Sequence, residues 1–234
     1  MKIFQKGFNF SEDVPGNRLV YHVAGCNMRC RWCANPEGFS PLSTHTEMSA
    51  KQIVDEAESC RKLFFDGGGV TFTGGEVTLC ADELIGILGQ LWERGIHTAI
   101  ETNGTSERLP EIWQHVDYLI MDFKHYDDGK MLQYTGVSAE AVKRNYERIV
   151  KEGRQCHIRI PLIREFNGDA AEGLASYFSH FPSDSVVFEF LKYHEFGKDK
   201  WQDPYLIRDG FVSQETVKKF KDVFLANGLV CVTT

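Results

Sequence analysis

Residues 18–33 read RLVYHVAGCNMRCRWC: a strand-like run from Arg18 to Ala24 that ends on a glycine and opens into three cysteines. Val, Tyr and other β-formers bounded by glycine argue for a buried strand followed by a loop. Cys26, Cys30 and Cys33 then fall in the spacing Cys-x3-Cys-x2-Cys. Thiols this close in sequence converge on one small object, and thiolate is the preferred ligand of iron–sulfur clusters and of zinc. A closed zinc site wants a fourth ligand, yet no His or Cys follows Cys33 closely. A disulfide framework fits poorly with seven cysteines, no secretion-type leader and no paired pattern. A four-iron cubane held by three cysteines keeps one iron open to a substrate or cofactor.

The chain has 234 residues, 42% of them hydrophobic, enough for one sizeable core and read as a single domain. Its formal net charge of −7 gives no electrostatic footprint for nucleic acid. No apolar run is long enough to span a membrane, so a cytoplasmic, reducing location is expected. After the first strand, strand and helix patterns alternate. Strands are expected at 69–73, 97–102, 118–123, 156–163 and 186–193, with a last one at 229–232. Ser49, Ser138 and Ser213 read as helix caps, Leu84, Ile87, Leu88 and Leu91 give one helix its apolar stripe, and Gly95 stops it. A further helix is expected over 169–181. Six β-α units with near-continuous apolar strands imply a parallel sheet. The expected architecture is α/β, a partial (β/α)6 barrel, with a doubly wound open sheet as the alternative.

Reactive groups of β/α barrels sit at the C-terminal ends of the strands. Here those ends carry the three cysteines, then Thr73-Gly74-Gly75-Glu76, Glu101-Thr102-Asn103-Gly104, Asp122-Phe123-Lys124 and Lys192-Tyr193-His194. Glu76 between a glycine pair and the next helix reads as functional. Asp122 and Lys124 share one strand face, with a salt bridge as the structural alternative. Arg159 has a barrel ion pair as its alternative, and His194 a satisfied interface histidine. Cys60, Cys80, Cys156 and Cys231 read as small buried hydrophobes.

Together with GGGVTFTGGE, GIHTAIETNG, DYLIMDFKHYDD, YTGVS, HIRIPLI and KYHEFGKDKW, the cysteine motif resembles the radical S-adenosylmethionine (SAM) enzymes, and among them the glycyl radical enzyme activating enzymes. KYHEFGKDKW is closest to the pyruvate formate-lyase branch of that family. The resemblance implies a 4Fe–4S cluster on Cys26, Cys30 and Cys33, with SAM bound at the open iron. Gly74, Gly75 and Glu76 would meet the methionyl ammonium, and Asp122 and Lys124 the carboxylate and ribose. His194 would meet the nucleoside, while Trp32, Ala34, Asn103 and Phe123 are further cofactor positions. Glu101, Thr102, Asp122 and the Ile120 carbonyl match a site for Na+ or K+, and Asp13 and Arg159 match residues that engage the partner's glycine loop. Lys124 and His194 join the cysteines as the expected catalytic set. The implied reaction is reductive cleavage of SAM followed by hydrogen abstraction from one glycine of a partner enzyme. The implied electron donor is flavodoxin or a similar low-potential protein.

Three departures stand out. The N-terminal motif reads Asp13-Val14-Pro15-Gly16-Asn17-Arg18 with valine where glycine is usual, and Val77 replaces the common proline after Glu76. Ala34-Asn35-Pro36-Glu37-Gly38 resembles activators that carry a ferredoxin-like insertion, yet residues 34–49 contain no cysteine. One cluster, a short N-terminal strand segment and no such insertion are therefore expected. Two other readings stay open: a radical SAM enzyme acting on a small molecule, such as a relative of 7-carboxy-7-deazaguanine synthase, and a non-catalytic iron–sulfur or zinc protein.

Overall fold

The computed structural model describes residues 1–10, 14–40 and 45–232. Asp13 lies outside them. The chain forms two compact units, one from residues 1–27, 37–102 and 106–120, the other from 28–36, 103–105 and 121 onward.

The first unit contains β1 (Lys2–Phe10), β2 (Asn17–Val23), β3 (Thr46–Glu47), α1 (Ala50–Ser59), β4 (Gly69–Gly74), α2 (Ala81–Glu93), β5 (Thr98–Thr102) and α3 (Leu109–Ile112). It ends in the first part of β6 (Tyr118–Asp122), which passes into the second unit after Ile120. Its strands are ordered β3-β1-β2-β4-β5-β6. β1 runs antiparallel to β2 and β3, while β2, β4 and β5 are parallel. Ser49 caps α1 in a reciprocal box with Gln52, which satisfies two amide donors that the helix start would otherwise leave open. The apolar stripes of both long helices are buried: Ile53, Val54 and Ala57 on α1, and Leu84, Ile87, Leu88 and Leu91 on α2. Gly95, at φ +64°, turns the chain after α2.

The second unit contains α4 (Asp128–Thr135), α5 (Glu140–Glu152), β7 (Cys156–Leu162), α6 (Arg164–Asn167), α7 (Ala171–Ser179), β8 (Val186–Lys192) and α8 (Gln214–Ala226). Here β6, β7 and β8 are neighbours, and β7 and β8 are parallel with Arg159 opposite Glu189. Its core is aromatic. Ring centroids stand 4.7 Å apart for Phe123–Phe178, 4.6 Å for Phe178–Phe188 and 5.2 Å for Phe188–Phe224. Tilted and edge-on pairs of this kind each add about 1 kcal/mol beyond their buried area.

Six strands, β2 and β4 to β8, end within one residue of their expected bounds. Other expectations shift. The N-terminal segment is a full nine-residue strand. The last strand reduces to one bridge, Cys231 to Phe188. Leu229 N–H is still bonded to Phe224 O in the turn that ends α8, so few residues remain to pair. The helix expected over 169–181 is the shorter α7. The helix after Ser138 starts one residue late, at Glu140, whose N–H donates to the Ser138 hydroxyl at 3.2 Å. α4 was not anticipated.

Candidate active site

In the first unit the loops after β2 and β4 are laced together by backbone. Gly75 N–H donates to Val23 O at 2.8 Å and Glu76 N–H to Gly25 O at 2.7 Å. Gly74 sits at φ +110°, and a Cβ there would stand 2.6 Å from Val23 N; on Gly75 it would stand 2.1 Å from Gly25 O. Only glycine permits this approach. The glycine pair thereby fixes the next residue, Glu76, which is 1% exposed. Its Oε1 accepts from Thr78 N at 3.0 Å, Thr78 Oγ1 at 2.6 Å and Thr102 Oγ1 at 2.6 Å. Glu76 therefore also caps the 3-10 turn Val77–Cys80, a structural duty that its place in the sequence did not reveal. Thr102, expected at a cation, joins Thr78 in orienting Glu76. Glu101 accepts from Thr73 Oγ1 at 2.8 Å. Cys26, near the end of this unit's first segment, is a half-buried cysteine whose N–H donates to Phe39 O at 3.2 Å.

In the second unit the cysteine loop is pinned to the C-terminus of α4. Arg29 N–H donates to Thr135 O at 2.7 Å and Arg31 N–H to Tyr134 O at 3.1 Å. The Arg31 guanidinium lies over the Tyr134 ring at 4.8 Å. Gly136, at φ +78°, ends α4, so the YTG motif has a local explanation as helix end and loop anchor. Trp32 packs on Phe166 at 4.7 Å. Cys30 is buried and Cys33 half-buried, and Asn35 N–H donates to Cys33 Sγ at 3.4 Å. Burial pushes the thiols of Cys80 (to about 11), Cys156 and Cys231 up, which keeps them protonated bystanders.

Beyond β6, Lys124 Nζ donates to Asp122 Oδ2 at 2.5 Å, and Lys124 is 6% exposed. The ion pair weighed as the structural alternative is thus present. Asn167, unforeseen in the sequence, is fully buried and donates to Lys124 O at 3.1 Å and Pro161 O at 2.8 Å. Phe123, expected at the cofactor, instead turns its ring into the aromatic core and donates its N–H to Arg159 O at 2.9 Å. Strand alternation sends it to the face opposite Asp122 and Lys124. Asn103 Oδ1 closes a turn on Thr105 N and Oγ1 at 3.1 and 2.7 Å. His194 stacks on Phe196 at 4.3 Å, and burial holds its imidazole below the usual range. Arg159, 3% exposed, donates to Glu189 Oε2 at 2.8 Å, with His157 Nε2 3.2 Å from the same oxygen. Burial pushes the Glu189 carboxyl up, but His157 and Arg159 outweigh it and bring it to about 2.

Within the second unit, the Cys30 and Cys33 thiols, the second of them met by an N–H donor, have the donor chemistry of thiolate ligands; within the first, Glu76 is a buried, positioned carboxylate. Among the described residues no three His, Cys, Asp or Glu side chains are grouped as a cage for a metal ion. Residues 20–178 match the model of the radical SAM superfamily. The chain belongs to that superfamily. Within the superfamily it is 33% identical to the pyruvate formate-lyase-activating enzyme of Clostridium pasteurianum, over 84% of this chain and 85% of the relative. It is 28% identical to the 4-hydroxyphenylacetate decarboxylase activating enzyme of Clostridioides difficile strain CD196, over 94% and 91%. A crystal structure of a pyruvate formate-lyase-activating enzyme domain from Bacteroides vulgatus superposes with a TM-score of 0.59 at 29% identity, covering 71% of this chain and 98% of that domain. This radical SAM enzyme is therefore a member of the glycyl radical enzyme activating family, whose chemistry implies a 4Fe–4S cluster and SAM. No helix among the described residues is long and apolar enough to cross a membrane.

Proposed function

We propose that this radical SAM enzyme activates a partner glycyl radical enzyme of the pyruvate formate-lyase type, with Cys26, Cys30 and Cys33 as cluster ligands. The observation that carries the reading is Glu76: a carboxylate buried to 1% exposure and oriented by three neutral donors. Such a group suits the α-ammonium of a bound amino acid. Cluster and cofactor together, when bound, supply the one-electron chemistry that lets a partner glycine lose its α-hydrogen.

The residues of the chain do the holding. Gly74 and Gly75 bring backbone close to the cofactor beside Glu76. Lys124, fixed through Asn167 and paired with Asp122, meets the cofactor carboxylate and ribose. His194, neutral at physiological pH, presents a ring face to the nucleoside, and Trp32, Ala34 and Asn103 line the cofactor from their loops. Glu101, Thr102, Asp122 and the Ile120 carbonyl form a site for Na+ or K+. Arg159, with Asp13, receives the glycine loop of the partner. A low-potential donor such as flavodoxin supplies the electron, and the compartment is the reducing cytoplasm. The chain works as one catalytic domain with a single cluster. In support, the Clostridioides difficile alignment runs over 290 positions, more than the 234 residues here, so that relative carries segments without counterparts.

The test is anaerobic. With the cluster reconstituted and reduced, 5′-deoxyadenosine release from SAM is measured with and without a glycyl-loop peptide. Release that rises with the peptide, with a glycyl radical signal, is expected. Cleavage indifferent to any glycyl loop would move the assignment to a small-molecule substrate, and a reducible cluster that cleaves no SAM would remove the catalytic reading.

A further inference from the structure

The motif KYHEFGKDKW assigns a role to His194 alone, yet the segment it opens does something else in the fold. Residues 193–205 form a strap that braces itself and then grips the cysteine loop. Tyr193 and Tyr205 share a hydroxyl–hydroxyl hydrogen bond of 2.8 Å, and Tyr193 OH donates to Glu195 Oε1 at 3.2 Å. Lys198 pairs with Glu195 at 2.9 Å and lies 5.7 Å from the centre of the Tyr205 ring. Trp201 stands edge-on to Tyr205 at 5.5 Å. The strap touches the loop at two consecutive residues. Trp201 Nε1–H donates to the Cys33 carbonyl at 3.1 Å. Gly197 packs so closely on Ala34 that a Cβ would stand 2.4 Å from Ala34 O. Gly197 has an ordinary right-handed backbone, φ −94° and ψ −5°, so it is space, not conformation, that demands glycine there.

The polar groups of Cys33 are thus fixed one by one. Its N–H donates to Cys30 O at 3.1 Å, its sulfur accepts from Asn35 N–H and its carbonyl accepts from Trp201. Groups that orient ligands in this way govern how tightly a metal centre is held and what its electronic state is.

We infer that Trp201 is a positioning residue for the cluster: through the Cys33 carbonyl, with Gly197 seating Ala34, the strap sets the geometry of the third thiolate. The inference rests on the reading of Cys33 as a cluster ligand. Trp201→Phe keeps the ring and deletes the donor, and Trp201→His restores an N–H on a smaller ring. In the reconstituted holoprotein, Trp201→Phe should fold like wild type by circular dichroism. It should yield iron to a chelator about tenfold faster and show a changed electron paramagnetic resonance spectrum of the reduced cluster, both recovered in part by Trp201→His. If Trp201→Phe does not fold, Gly197→Ala decides the same question, with faster iron release expected. Wild-type release and an unchanged spectrum in the variant that folds would overturn the inference alone. A wild-type chain that takes up no cluster would overturn the cluster reading and this inference together.

Discussion

Two glutamates, one buried in the first unit and one half-buried in the second, are held in opposite ways. Glu76 Oε1 is met by a backbone amide and two threonine hydroxyls, whereas Glu189 Oε2 is met by the guanidinium of Arg159 and the ring of His157. Neutral donors orient a carboxylate without cancelling its charge; a guanidinium cancels it. The first arrangement suits a group that must meet a cation from outside. The second suits a group whose work is done inside the fold, keeping a buried arginine in place. Burial alone therefore does not separate a binding carboxylate from a structural one; the chemistry of its donors does.

The comparison can be broken at either end. The largest effect is expected from Arg159→Met, which leaves Glu189 only His157 as partner and should cost about 3 kcal/mol of unfolding free energy by denaturant titration; a loss near zero would remove the ion pair from the argument. Next comes Glu76→Gln, which keeps an acceptor for the threonines but loses the charge. SAM affinity should fall about 100-fold, or about 2.7 kcal/mol, with little change in melting temperature; the opposite split would make Glu76 a structural residue. Third is pH. The Glu189 carboxyl, ordinarily near 4.5, is held at about 2 in the fold. Its stabilisation is full above pH 4.5 and drains away as pH falls toward 2. Wild type should exceed Glu189→Gln in stability at pH 6, by about 2 kcal/mol after allowance for partial solvent screening, and the gap should shrink to a fraction of that at pH 2.5 and close only below pH 2. The smallest effect is expected from Thr102→Val, which removes one donor to Glu76 and should cost about 1 kcal/mol in thermal unfolding. A larger loss of SAM binding than of stability there would show that orientation matters as much as charge.

What the sequence revealed follows from how local each signal is. The strand ends were readable because apolar runs stop at glycines or polar residues, and Ser49 and Ser213 announce their helices because capping is decided within four residues. The partners of Glu76 were only half readable: Thr78 is two residues away, Thr102 is 26 residues away, and nothing in either segment names the other. Glu189 was missed for the same reason. Its partner lies on a neighbouring strand, set by a register that emerges only when β7 and β8 pair. Phe123 was misread because its neighbours Asp122 and Lys124 drew it into the site, although strand alternation sends it into the core.

The grip of Trp201 on Cys33 spans 168 residues, and that distance sets an order of events during synthesis. All three thiols leave the ribosome early, while the indole that seats the last of them emerges only when most of the chain has been made. Until then the cysteine loop exists without its Trp201 contact, and on the proposed reading of Cys33 as a ligand the seat for the cluster is incomplete. On that proposed reading, assembly of the cofactor in its finished geometry belongs to the end of translation or after it, in a chain already folded enough to bring its two distant segments together.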